Sequence, residues 1–115
     1  PFFRSKSVDN TLSAALSEQS AARSSAMALE RRLQSRLAAE HAHWRDLTRR
    51  LSNYEQRILP LASDHAEAAL LAYQSDRADF AEVMRGFIED LNTRIEHVRI
   101  QVDRAQSYAV LANLG

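Results

Sequence analysis

From Val8 to Gln74 the sequence contains no glycine, and its only proline is Pro60. A stretch without breakers, with apolar residues at helical spacing, predicts one helix over residues 8–74, about 100 Å long at 1.5 Å per residue. A helix of that length is not a core element of a globular domain; it belongs to coiled-coil or repeat-like architecture. Composition agrees. Two Gly and two Pro in 115 residues are too few turn formers for an all-β or α/β fold. The predicted fold class is all-α: a long antiparallel coiled-coil helical hairpin, one helix about half as long as the other.

The apolar seam of the long helix runs in steps of three and four from Leu12 and Ala15 through Leu29, Leu33 and Leu37. It continues through Trp44, Leu47, Leu51, Tyr54 and Ile58 to Leu61, His65, Ala68 and Ala72. Two consecutive steps of four, at Leu29–Leu33–Leu37, form one stutter. A second stripe, Leu59, Ala62, Ala66, Ala69 and Tyr73, makes the segment 58–73 apolar on two adjacent faces. A helix of that kind packs against partners on two sides. Pro60 deprives the Gln56 carbonyl of its helical donor. The seam as traced keeps its phase across Pro60, so the expectation is a continuous helix kinked near that residue. Residues 1–7, PFFRSKS, read as a lead-in, with Ser7 as a weak N-cap.

Residues 75–78, SDRA, break the pattern, and 75–79 form the expected turn. Asp79 then caps a second helix over 80–114, with Glu82 three residues on in a capping-box arrangement. Its expected seam is the wholly apolar set Phe80, Met84, Phe87, Leu91, Ile95, Val98, Val102, Ala105, Ala109 and Ala112. Gly115 is a C-terminal stop signal. A turn this short makes the helices antiparallel. The return helix, near 52 Å, then leaves residues 8–40 without an intrachain partner. Partners must come from a larger protein or from self-association. The chain opens on Pro1 rather than Met, which reads as a processed product or an excised fragment.

Charge and composition narrow the function classes. Fifteen basic residues balance fifteen acidic ones, whereas a nucleic-acid binder usually shows a basic excess. There is no Cys, which removes disulfide, thiolate-metal and cysteine-nucleophile readings. No run of about eighteen apolar residues is present, and no signal peptide is visible. His41 and His43 are two apart and point to opposite sides of a helix. His65 and His97 lie on different helices without a third ligand at metal spacing. No nucleophile–base–acid set is visible either. The expectation is no catalytic residue, no metal and no cofactor. Asp46–Arg50 and Asp90–Arg94 are expected i,i+4 ion pairs.

The stretch ILPLASDHAEAALLAYQSDRADFAEVM resembles the signature of TolC-like outer-membrane efflux proteins. The matching residues are Leu59-Pro60-Leu61-Ala62, Ala72-Tyr73 and Glu82-Val83-Met84. Upstream Trp44, Leu47, Arg50 and Tyr54, and downstream Ala105, Leu111, Leu114 and Gly115, look like the heavy-metal (CzcC-like) branch. The lead-in looks like the exit from β-barrel strands into a second internal repeat. This resemblance implies a trimer whose outer-membrane β-barrel continues into a periplasmic helical tunnel, with this hairpin as one piece of the tunnel wall. It implies a passive conduit whose tip meets a periplasmic adaptor and, through it, an inner-membrane pump.

The implied adaptor-contact residues are Tyr73, Ser75, Asp76, Arg77, Ala78, Asp79 and Phe80. The implied gate residues are Tyr73, matching a tip tyrosine, and Glu82, matching an acidic constriction position. Two family glycines are replaced here by Asp76 and Ala78, and a further acidic gate position falls on Arg85. Asp tolerates a left-handed backbone better than most residues, so the turn is expected to survive. For Tyr73 and Phe80 two readings stay open: ring packing that closes the end of the hairpin, or adaptor docking and gating. Outside the resemblance, the alternative is a free-standing coiled-coil interaction module or an adaptor hairpin.

Overall fold

The structure is a computed structural model and describes residues 2–114. Pro1 and Gly115, the expected stop signal, lie outside the described residues. The chain is all-α. Helix α1 spans Phe2–Asn53, a π-helical turn spans Tyr54–Ile58, α2 spans Leu59–Gln74 and α3 spans Phe80–Leu114. Helix α1 therefore begins at Phe2 rather than after a lead-in. Nothing in FFRSKS breaks a helix, and Ser7 sits inside it, where its carbonyl accepts from Thr11 Oγ1 at 2.9 Å instead of capping an end.

Residues 1–38 and 39–115 are two separate units. In the first, only α1 contributes, and none of its described residues is buried; Leu12, Leu16, Leu29, Leu33 and Leu37 are all exposed. The second unit is the hairpin, in which the end of α1, the π turn and α2 run antiparallel to α3. Its apolar centre is Leu47, Leu51 and Ile100, with Tyr54 against them. Leu47 and Ile100 are each 1% exposed.

The π turn corrects the expected seam. Leu59 donates its N–H to the Tyr54 carbonyl, five residues back, so one extra residue is wound into the turn. Up to and through the turn, Trp44, Leu47, Leu51, Tyr54 and Ile58 face α3. After it the phase has advanced by one residue: Leu59, Ala62, Ala66 and Ala69 face inward, while Leu61, His65 and Ala68 are exposed. The two apolar stripes on 58–73 are the mark of that shift. Pro60, second residue of α2, explains its position. In an unbroken α-ladder the pyrrolidine ring would run into the Gln56 carbonyl, and the widened turn just ahead of it opens the ladder there.

The seam of α3 is also displaced from expectation. The side that meets α1 and α2 carries Val83, Gly86, Asp90, Thr93, His97, Ile100, Arg104 and Ser107, all buried or half-buried. Phe80, Met84, Phe87, Leu91, Ile95, Val98 and Val102 are exposed instead. The inner stripe alternates three and four without a stutter, the spacing of a regular coiled-coil seam. Its small residues permit close contact: a Cβ built at Gly86 would lie 3.3 Å from the Ala66 Cα and 3.6 Å from the Ala69 Cβ. Three polar atoms in this seam are buried without a hydrogen-bond partner: Asp90 Oδ1, Arg104 Nε and Ser107 Oγ.

Candidate functional site

The tip is built by a left-handed helix stop. Asp76 has φ of +56°, the only non-glycine positive φ among the described residues. Arg77 N–H reaches back to the Ala72 carbonyl at 2.7 Å, and Asp76 N–H to the Tyr73 carbonyl at 3.1 Å. This is the nested pair of bonds of a Schellman stop, usually made with glycine at the left-handed position. Ser75 Oγ donates to the Leu71 carbonyl at 3.0 Å. On the other side of the turn, Asp79 Oδ1 accepts from the Glu82 N–H at 2.9 Å, so Asp79 is the N-cap the spacing predicts.

The rings of Tyr73 and Phe80 meet edge to face, with centroids 5.9 Å apart, a favourable arrangement of aromatic quadrupoles. They tie the last turn of α2 to the first of α3, and both stay substantially exposed. Ser75, Asp76, Arg77 and Asp79 are exposed as well, and Ala78 is half-buried. The tip therefore presents polar side chains around a ring pair on a tightly bonded turn. Glu82 and Arg85 are both exposed on the first turns of α3. No ion pair joins them to each other or to the tip among the described residues.

Several polar contacts differ from expectation. Asp46 pairs with Arg49 at 2.6 Å rather than with Arg50. Arg50 turns toward Glu96 of α3 at 3.9 Å. The Arg49 hydrogen bond holds the Asp46 carboxyl below its ordinary range, opposed by desolvation and helped by the charges of Arg49, Arg50 and His43. Asp90–Arg94 forms as expected, at 3.2 Å. His97 and His65 do not meet. His97 Nε2 lies 3.1 Å from Glu55 Oε1 and donates across the hairpin to the π turn, whereas His65 shares a cleft with Glu89 and Asn92. No group of three or more His, Asp or Glu side chains that could hold a metal ion occurs among the described residues.

Two features escaped sequence reasoning. One is an open cleft flanked by Trp44, Leu51, Gln101, Arg104 and Tyr108, in which the Arg104 guanidinium lies 5.2 Å from the Trp44 ring centroid. The cation is held by the ring face. The signal that could have found it is the heptad spacing of Ile100, Arg104 and Ser107, hidden because two of the three are polar. The other is the outward side of the apolar stripe of α3, which periodicity alone places against α1 and α2.

Comparison with known proteins finds no matching family model, no matching curated protein and no matching solved structure. No helix among the described residues is long and apolar enough to cross a membrane.

Proposed function

We propose that this chain is a wall segment of a helical tunnel: a periplasmic hairpin of a TolC-like outer-membrane channel in a tripartite efflux system, of the heavy-metal branch. In this reading it is a passive conduit that performs no chemistry. The intact protein is a trimer in the outer membrane. The tip residues 73–80 meet a periplasmic adaptor, which links the channel to an inner-membrane pump. Tyr73, Glu82 and Arg85 line the narrow end.

The observation that carries the reading is the placement of the strongest apolar stripe of α3 on its outer side, with Leu61 and Leu71 of α2 also exposed. A free hairpin would bury its most apolar stripes between its own helices. A stave in a wall must offer apolar surface to neighbours on both flanks. The order of the Leu59–Ala62, Ala72–Tyr73 and Glu82–Met84 motifs along the chain supports the same family.

The test uses the intact gene product. Its reading frame should carry β-strand segments and a second related hairpin repeat around this one. A cysteine at Arg77 should cross-link to the adaptor, and Tyr73→Ala or Glu82→Gln should change transport while helicity stays intact. A reading frame without barrel strands would overturn the proposal in favour of a free-standing coiled-coil module. Normal transport in both variants would remove the gate.

A further inference from the structure

The outward stripe of α3 carries a gradient of size. Its N-terminal end presents Phe80, Met84 and Phe87, and its C-terminal end Ala105, Ala109 and Ala112, all exposed. Between them lie Leu91, Ile95, Val98 and Val102, also exposed.

Turned end for end, this stripe falls onto itself. Phe80 comes opposite Ala112, Met84 opposite Ala109, and Phe87 opposite Ala105. Leu91 comes opposite Val102, and Ile95 opposite Val98. The midpoint of every pair lies at residue 96 or half a residue beyond it, so no pair drifts out of register along the helix.

We propose that two copies of this chain pair through this stripe, α3 against α3 and antiparallel, about a two-fold axis near residue 96. An isologous contact of this kind needs a self-complementary surface, and the gradient provides one. Large side chains meet small ones at both ends, and medium ones meet at the centre, so the helices can keep one separation along the whole contact. Parallel pairing would set Phe80 on Phe80 and Ala112 on Ala112, crowding one end and leaving voids at the other.

The exposed portions of the seven large residues amount to roughly 600 Å² per copy, so their complete burial in a pair would reach about 1,200 Å², the low end for a specific interface. Of the cations beside the axis, Arg94 pairs with Asp90 at 3.2 Å, and Arg99 lies 3.8 Å from Glu96, a carboxylate it shares with Arg50.

The pairing is that of the 115-residue chain on its own and does not rest on the channel reading, in which neighbouring staves would cover the same stripe. In the pair the two tips lie at opposite ends, whereas wall segments stand side by side with tips together. The pair and the wall compete for the same surface.

The 115-residue chain itself serves for the test. Sedimentation at micromolar concentration should give a dimer. Leu91→Glu with Ile95→Glu should give a monomer of unchanged helical circular dichroism, since both residues lie outside the intrachain seam. The chain has no cysteine, so orientation can be read by mixing the variants Phe80→Cys and Ala112→Cys under oxidising conditions. The expected product is the disulfide between the two different variants, and this arm leaves the centre of the stripe intact. A monomeric wild-type chain would overturn the proposal. So would a doubly substituted chain that stays dimeric, or Phe80→Cys cross-linking mainly to itself.

Discussion

Gly86 lies directly over Ala66, and a Cβ at position 86 would approach the Ala66 Cα to 3.3 Å. The helices of the hairpin come close here because each contributes a residue with little or no side chain. The tolerance is correspondingly narrow. Gly86→Leu should destabilise the hairpin by about 1–3 kcal/mol through overpacking. Gly86→Ala gains about 1 kcal/mol of helix propensity and loses a similar amount to crowding against backbone. Its denaturant midpoint should stay close to that of the wild type. Urea unfolding followed by circular dichroism reads both.

Ile100 and Ile95 are on the same helix but should behave oppositely. Ile100 is 1% exposed against Leu47 and Leu51, whereas Ile95 is 45% exposed. Ile100→Ala should cost about 2–5 kcal/mol, the range for a buried aliphatic truncated in a packed core. Ile95→Ala, measured on the monomer in dilute solution, should cost under about 1 kcal/mol, as expected for a surface position. If the two costs were reversed, the assignment of the inner and outer sides of α3 would be wrong.

Asp76 holds a left-handed backbone at φ +56°, a conformation that glycine adopts without steric cost. Asp76→Gly should therefore raise stability by about 0.5–1 kcal/mol, and Asp76→Val should lower it by about 1–2 kcal/mol. Thermal unfolding distinguishes the two directions. The Tyr73–Phe80 ring contact should persist in the glycine variant, because the backbone bonds of Ala72 and Tyr73 to the turn do not involve the Asp76 side chain.

The elements themselves were legible in the sequence. The absence of glycine across residues 8–74, the Asp79 cap and the SDRA turn point to a helical hairpin with its tip near residue 76, although α1 starts at Phe2 and a π turn divides it from α2. The facing of those helices was not legible, for two physical reasons. The π turn at Tyr54–Ile58 shifts the phase by one residue, and a seam traced in threes and fours runs through it without notice. On α3, periodicity shows which residues share a stripe but not which neighbour that stripe meets. The assumption that the most apolar stripe faces the intrachain partner fails on α3, whose inner side is instead the stripe of Val83, Gly86, Asp90, Thr93 and His97. Of the two readings open for Tyr73 and Phe80, the ring contact is present at 5.9 Å, since a short turn between a capped helix and a helix end leaves little freedom. Glu82 and Arg85 were linked to the tip by resemblance alone, and no contact among the described residues joins them to it.

The Asp46 carboxylate gives a test of local electrostatics. Its hydrogen bond from Arg49, at 2.6 Å, is the main cause of its lowered pKa. A depressed folded-state pKa means that the associated stability is present above the unfolded value and is lost as pH falls through the folded one. The window is therefore acidic, beginning below pH ~4, where an unperturbed aspartate titrates. NMR titration of the Asp46 carboxyl carbon should give a midpoint below that of an aspartate in an unfolded peptide. Arg49→Gln should bring the midpoint back most of the way. Arg50→Gln should move it less, because Arg50 acts only through its charge at longer range and otherwise turns toward Glu96. The group is solvent-exposed, so high salt should also narrow the difference between wild type and Arg50→Gln, while the directly bonded Arg49 contribution persists. Equal shifts from the two arginine substitutions would mean that general charge, rather than the Arg49 hydrogen bond, sets the carboxyl's affinity for protons.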